Sequence, residues 1–397
     1  MHTHRVAACI MAMLLLALAS CGGGGSGKPA PAPSTTANAL AITVDGQFNT
    51  INVPFVSVTV CVPGTTTCQT IDHVLVDTGS WGLRLINNGS LNVLPAVTNS
   101  SGTALGECTQ FADGFTWGSV RYADIKLAGE VALHAAIQSI GDQPGGASGV
   151  PADCSGTGIN ENTAALLGAK GILGVGLFTN DCDACLISNS TNPIPPVYYA
   201  CTGAACSNTL ITPSQMVQNP VSLFPQDNNG VVLDLPAVGN GGTASLSGTL
   251  YFGIGTQANN TPGRVHAYQA DYYGDILTSY KGVTTSSFID SGSNGIFFAD
   301  SAITQCTLSL GFYCPSPSPL PLTATNIAAS GGASGNISFN IVSVDALSNN
   351  VAAGNIGGNA AIFGWFDWGL PLFFGRKIYF AIENASTALG AGPYYAY

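Results

Sequence analysis

Two aspartates stand in copies of one short pattern. Val74-Leu75-Val76-Asp77-Thr78-Gly79-Ser80-Trp81-Gly82 and Ser287-Phe288-Ile289-Asp290-Ser291-Gly292-Ser293-Asn294-Gly295 both run from apolar residues through Asp-(Thr/Ser)-Gly-Ser to a second glycine. One Asp-Thr/Ser-Gly is ordinary turn chemistry. Two extended copies, each launched from an apolar run, mark a duplicated structural unit. The glycine permits positive φ or close backbone approach, and the small hydroxyl residues can bond the turn and whatever faces it. If the two turns meet, their carboxyls cannot both ionise readily, so they share one proton with apparent pKa values driven apart. The ionised partner then draws a proton from water while the protonated one supplies a carbonyl oxygen. That chemistry is hydrolysis, and it needs no cofactor.

The elements that must carry these turns read as strands. Charged residues are 8% of the chain, against 50 glycines, a composition that disfavours long helices and suits β structure with many turns. Short apolar or alternating runs bounded by Gly, Pro and Asn predict strands over Asn52 to Cys61, Ile71 to Val76, Val120 to Leu127, Val231 to Leu235, Ser286 to Ile289, Ile337 to Val344 and Arg376 to Ile382. Asn160 to Leu167 and Pro213 to Gln218 are short helix candidates, and Asn180 to Ser214 and Pro315 to Pro321 read as loops. The formal charge of −11 repels nucleic acid, and no basic stripe offsets it.

The N-terminus reads as targeting sequence. Residues 1–20 have a short basic start and an apolar run too short to span a bilayer, closed by Leu18-Ala19-Ser20-Cys21. That ending resembles a bacterial lipobox, which implies cleavage before Cys21 and its acylation. The other reading is an ordinary secretory signal. Gly22, rather than an acidic residue, fits sorting to the outer membrane. Residues 21–41 are a Gly/Ser then Pro/Ala tether. No later stretch is apolar for long enough to form a transmembrane helix.

Ten cysteines remain after Cys9 and Cys21. Cys61/Cys68, Cys182/Cys185, Cys201/Cys206 and Cys306/Cys314 are close neighbours, with Cys108 and Cys154 left over. In an exported chain they predict up to five disulfides. Cys182, Cys185, Cys201 and Cys206 also have the spacing of a zinc site, and Cys182-x2-Cys185 that of a redox pair.

On the two Asp motifs the chain resembles the pepsin-like aspartic proteases, and more closely a set of proteobacterial exported proteins catalogued as a domain of unknown function within that superfamily. The resemblance covers nearly all of residues 42–390. It implies an all-β, bilobal fold with a cleft between pseudo-twofold lobes, here 42–235 (with a Cys-rich loop about 180–214) and 236–397. Each pepsin lobe also has an apolar-apolar-Gly segment after its aspartate. Gly171-Ile172-Leu173-Gly174 matches it in the first half, and Ile362-Phe363-Gly364 or Trp368-Gly369 in the second. By position, Thr78 and Ser291 match hydroxyls that brace the two loops against each other. Ser80 and Ser293 match those bonded to the outer carboxylate oxygens, and Gly79 and Gly292 are the turn glycines. A departure lies in the flap. Phe111 to Ser119 contains no tyrosine, which leaves Phe111 or Trp117 to cover the cleft, and Trp81 stands where a small residue is usual.

The resulting expectation is an envelope-anchored, monomeric aspartic endopeptidase. It acts on peptide or protein through Asp77 and Asp290, without metal or cofactor, and meets the membrane through its lipid anchor. The alternatives are a non-catalytic lipoprotein holding peptide or glycan in the same cleft, and a β-rich surface adhesin or structural lipoprotein. Trp365 and Trp368 are expected in packing, and His73, His134 and His266 show no ligand spacing.

Overall fold

The computed structural model describes residues 37–397, apart from residues 148, 157, 188–193, 204, 348–350 and 362–363. Cys21, the leader and most of the tether therefore lie outside the described residues, as do Ile362 and Phe363. The described chain is mainly β, with a few short helical turns. No helix among the described residues is long and apolar enough to cross a membrane.

Six strands in the first half close on themselves. Phe55–Cys61 pairs antiparallel with Cys68–Asp77, which lies parallel to Gly171–Val175. That strand pairs antiparallel with Trp81–Ile86, itself parallel to Glu130–Ile140. Glu130–Ile140 pairs with Gly114–Leu127, which returns to Phe55–Cys61 through Thr59↔Lys126 and Val60↔Ile125. The ring is a β-barrel, and closure leaves its strands no exposed edge. The same sheet continues outward through Ala39–Val44, Leu246–Phe252, Gly230–Leu235, Arg376–Ala381 and Tyr394–Ala396, so strands on both sides of position 235 share it. A second, 7-stranded sheet is built entirely from residues after 275.

The sequence duplication is a duplication of topology. Cys68–Asp77 enters the first Asp turn and Trp81–Ile86 leaves it, with Gly171–Val175 between them, parallel to the first and antiparallel to the second. Val283–Ile289 enters the second turn and Ile296–Phe298 leaves it, with Phe366–Trp368 between them in the same two senses. The apolar residues that define each copy explain this placement. Val74, Val76, Leu83 and Leu173 are fully buried, and so are Ile289, Ile296, Phe298 and Trp368, all in one apolar cluster. Burying each such side chain is worth about 1.5–3 kcal/mol, so the turns sit on rigid bases. Of the two candidates for the second apolar-apolar-Gly segment, Trp368-Gly369 occupies the middle-strand position. A Cβ on Gly369 would lie 2.1 Å from the Gly295 carbonyl oxygen, which explains the glycine.

All seven expected strands form, with shifted ends. Three expectations need correction. The segment expected as a loop over 180–214 contains the hairpin Tyr198–Thr202 and Ala205–Asn208, docked on Ala104–Gln110. Burial of Tyr198 and Tyr199 drives that docking. The helix expected from Asn160 shrinks to Ala164–Leu167, capped by the Thr163 hydroxyl, because Ile159–Asn160 pairs with Gly114–Leu127 instead. Pro213 to Gln218 makes only the 3-10 turn Pro213–Gln215.

All ten cysteines are joined, as Cys61–Cys68, Cys108–Cys154, Cys182–Cys185, Cys201–Cys206 and Cys306–Cys314. The four cysteines with zinc-like spacing are thus spent on two disulfides rather than on a metal. Trp368 is packed as expected: it is fully buried and its indole N–H donates to Asn326 Oδ1 at 2.9 Å. Trp365 stacks at an angle on Phe288.

Candidate active site

Each Asp turn is held by its own backbone. The Gly79 N–H donates to Asp77 Oδ1 at 2.8 Å and the Ser80 hydroxyl to Asp77 Oδ2 at 2.5 Å. In the second copy the Gly292 N–H donates to Asp290 Oδ1 at 2.7 Å and the Ser293 hydroxyl to Asp290 Oδ2 at 2.9 Å. The two copies make the same two bonds with the same two oxygens.

The turns also grip each other. The Ser291 N–H donates to Thr78 Oγ1 at 2.8 Å, and the Thr78 N–H donates to Ser291 Oγ at 3.2 Å. Each hydroxyl reaches on to the strand entering the opposite turn. Ser291 donates to the Val76 carbonyl at 2.7 Å, and Thr78 to the Ile289 carbonyl at 3.3 Å. Thr78 is 3% exposed and Ser291 0%; buried bonds of this kind are costly to break and fix the relative position of the turns.

This grip brings Asp77 and Asp290 face to face, with their side chains in hydrogen-bond contact. Glycine is required beneath them. A Cβ on Gly79 would stand 2.8 Å from Asp290 Cγ, and one on Gly292 would stand 2.7 Å from Asp77 Oδ1 and 3.2 Å from Asp290 Oδ1. Burial, the adjoining Asp77 carboxyl and then the Asp367 carboxyl hold the Asp290 pKa well above the ordinary carboxylate range. Asp290 therefore holds its proton more tightly than an ordinary carboxyl does.

Asp367 escaped the sequence reading. It is 2% exposed and stands in register with Phe288 and Phe297, between the strands entering and leaving the second turn. Its carboxyl meets the Ser293 hydroxyl, and its Oδ1 has no hydrogen-bond partner among the described residues. Burial pushes its pKa up to about 8, the Ser293 contact opposes that rise, and the Asp77 charge adds to it. The only signal in the sequence was a carboxylate set between Phe366 and Trp368.

The pair lies in a cavity of about 390 Å³ whose walls include Trp81, Phe111, Phe178, Tyr273 and Asp275. Phe178, Tyr273 and Asp275 were also missed from sequence. Phe111 belongs to the hairpin turn between Ala104–Gln110 and Gly114–Leu127, closed by the Phe111 N–H on the Gly114 carbonyl at 2.8 Å. Trp117, the other flap candidate, is not in the cavity. It is 5% exposed and packs edge-on against Tyr199 beside the Cys108–Cys154 disulfide. Strand alternation turns Phe115 and Trp117 to that inner layer. Among the three histidines without ligand spacing, His73 pairs with Asp45 and Asp72, and His134 stacks on Tyr122.

The described chain is a mainly β protein carrying two copies of a strand, Asp turn and strand, with the carboxyls of the two copies in contact. Residues 34–397 match the model of the family described as Protein of unknown function (DUF3443), and the chain belongs to that family. A search of the curated proteins found no match.

Proposed function

We propose that this chain is an aspartic endopeptidase with a bilobal, pepsin-like fold, held in the bacterial envelope by a lipid on Cys21. One observation carries the reading: two buried-edge carboxyls in contact, each fixed by its own glycine N–H and serine hydroxyl, on turns locked through Thr78 and Ser291. A water bound between the carboxyls gives a proton to the ionised one as its oxygen attacks the peptide carbonyl. The protonated carboxyl passes its proton to that carbonyl oxygen, which yields a tetrahedral diol. Collapse of the diol breaks the C–N bond: one diol hydroxyl returns its proton to the ionised carboxyl as the other carboxyl gives its proton to the leaving amine, so one proton again remains shared. The cavity walls Trp81, Phe111 and Phe178 set apolar surface beside the pair, which strengthens the electrostatic terms.

The second reading is a non-catalytic cleft that holds peptide or glycan. It is favoured by Phe111 at the hairpin tip, which covers the cavity but offers no phenol to a bound backbone. Digestion of unfolded casein separates the two. The protease reading expects cleavage strongest at acidic pH and blocked by a statine-type mimic of the diol. Binding of that mimic with no cleavage at any pH would favour the second.

A further inference from the structure

The described residues contain eight lysines and arginines in a chain of formal charge −11. Five of them are committed to carboxylates: Arg84 to Glu107 and Asp181, Arg121 to Asp142, Lys170 to Asp72, Lys281 to Asp300, and Lys377 to Asp234. Among the described residues two arginines, Arg264 and Arg376, have no carboxylate within ion-pair distance. Both line the same cavity, of about 490 Å³, and Lys377 stands beside them. The cavity is built where Arg376–Ala381, Tyr394–Ala396 and Ala267–Gln269 pair in sequence, and it shares no lining residue with the cavity of the Asp pair.

An acidic protein has carboxylates to spare, so leaving both free guanidinia around one hollow is informative. Arg376 is half-buried and donates only Nη1, to the Leu372 carbonyl at 2.7 Å. Its remaining N–H groups have lost part of their hydration without gaining a counter-charge, a deficit that an anion repairs. Burial lowers its pKa accordingly, opposed by the neighbouring Tyr397. Thr261, Tyr379 and Tyr397 complete the same lining. Two planar forks without a carboxylate partner suit a tetrahedral oxyanion, which guanidinium binds in bidentate fashion. The volume falls within the range of small-molecule sites and exceeds the needs of a bare phosphate.

We propose that this cavity binds the phosphate group of a phosphorylated ligand, independently of the Asp pair. The phosphate can belong to a soluble phosphomonoester or to a phospholipid headgroup. The test uses the full chain carrying Cys21→Ser, so that no attached lipid confounds it. Calorimetric titration with inorganic phosphate at low ionic strength should show one saturable site. Arg264→Gln, an exposed change, should weaken it about tenfold or more, as expected for the loss of a charge-assisted hydrogen bond. Arg376→Gln should do the same, and Asp77→Asn should leave it unchanged. Sedimentation with vesicles then separates the sources. Binding to phosphatidic acid vesicles but not to phosphatidylcholine vesicles assigns a headgroup; phosphate binding without vesicle binding assigns a soluble ligand. Absence of saturable binding in both arms, or equal affinity in Arg264→Gln and the unmodified chain, overturns the proposal whatever the outcome for proteolysis.

Discussion

Replacing Gly79 with alanine adds one methyl group beneath the opposing carboxylate. That methyl would stand 2.8 Å from Asp290 Cγ and 2.9 and 3.0 Å from its two oxygens. Comfortable separations for such atoms are about 3.5 Å, so Asp290 or the first turn must move by roughly half an ångström. Neither is free to do so. Asp290 is tied to the Gly292 N–H and the Ser293 hydroxyl, and the first turn is pinned to the second through Thr78 and Ser291. The overpacking should cost about 1–3 kcal/mol of stability. Misplacing reacting groups on this scale should cost on the order of a hundredfold in kcat/KM, about 2.7 kcal/mol of transition-state stabilisation. Gly292→Ala is the mirror experiment, with its methyl 2.7 Å from Asp77 Oδ1, and Gly239→Ala, which meets nothing within 4 Å, is the control. The assay is peptide hydrolysis at acidic pH beside a thermal melt. A folded Gly79→Ala protein working within about twofold of the parent would refute the reasoning, because the close approach of the two turns would then have no chemical consequence.

Other perturbations follow from the same structure. Asp367 has a folded pKa of about 8, above its unfolded value of 3.8. The folded state therefore resists its ionisation, and the stability present at acidic pH is lost as pH rises from the lower value towards the higher. Asp367→Asn removes this dependence, so its stability relative to the parent should climb by up to about 1.4 kcal/mol per pH unit across that window; equal pH slopes in urea titrations of the two proteins would count against a buried neutral Asp367. The Cys108–Cys154 bond joins residues 46 apart and anchors the hairpin that carries Phe111. Changing both cysteines to alanine should cost about 4 kcal/mol by the chain-entropy argument, measured by chemical denaturation. A loss of less than about 1 kcal/mol would show that the segment is held by packing instead.

The duplicated Asp turn was legible because its chemistry tolerates so few residue types. A carboxylate, a small hydroxyl, a glycine that a Cβ would ruin and a flanking serine must follow in order, twice, after strands that read as apolar. Closure of the barrel was not legible, since it rests on long-range pairs such as Thr59↔Lys126 that leave no local pattern. The Tyr198–Asn208 hairpin was hidden among prolines, cysteines and glycine, and its pairing with Ala104–Gln110 depends on tyrosines that look like loop residues until they are buried. Trp117 was misread for a related reason. Its position near the hairpin suggested a lid, but the face it occupies depends on strand register, and that face is the inner one. Asp367 lies on a strand of three residues, too short to show a period against which a buried charge would stand out.

The central claim is that Asp77 and Asp290 act as one proton-sharing unit. Its most direct test compares Asp77→Asn and Asp290→Asn with the parent in hydrolysis of unfolded casein at acidic pH, with melts to show that each variant folds. The account predicts that either change alone lowers the rate by at least about a thousandfold while the fold persists. Unimpaired cleavage by either folded variant would contradict it.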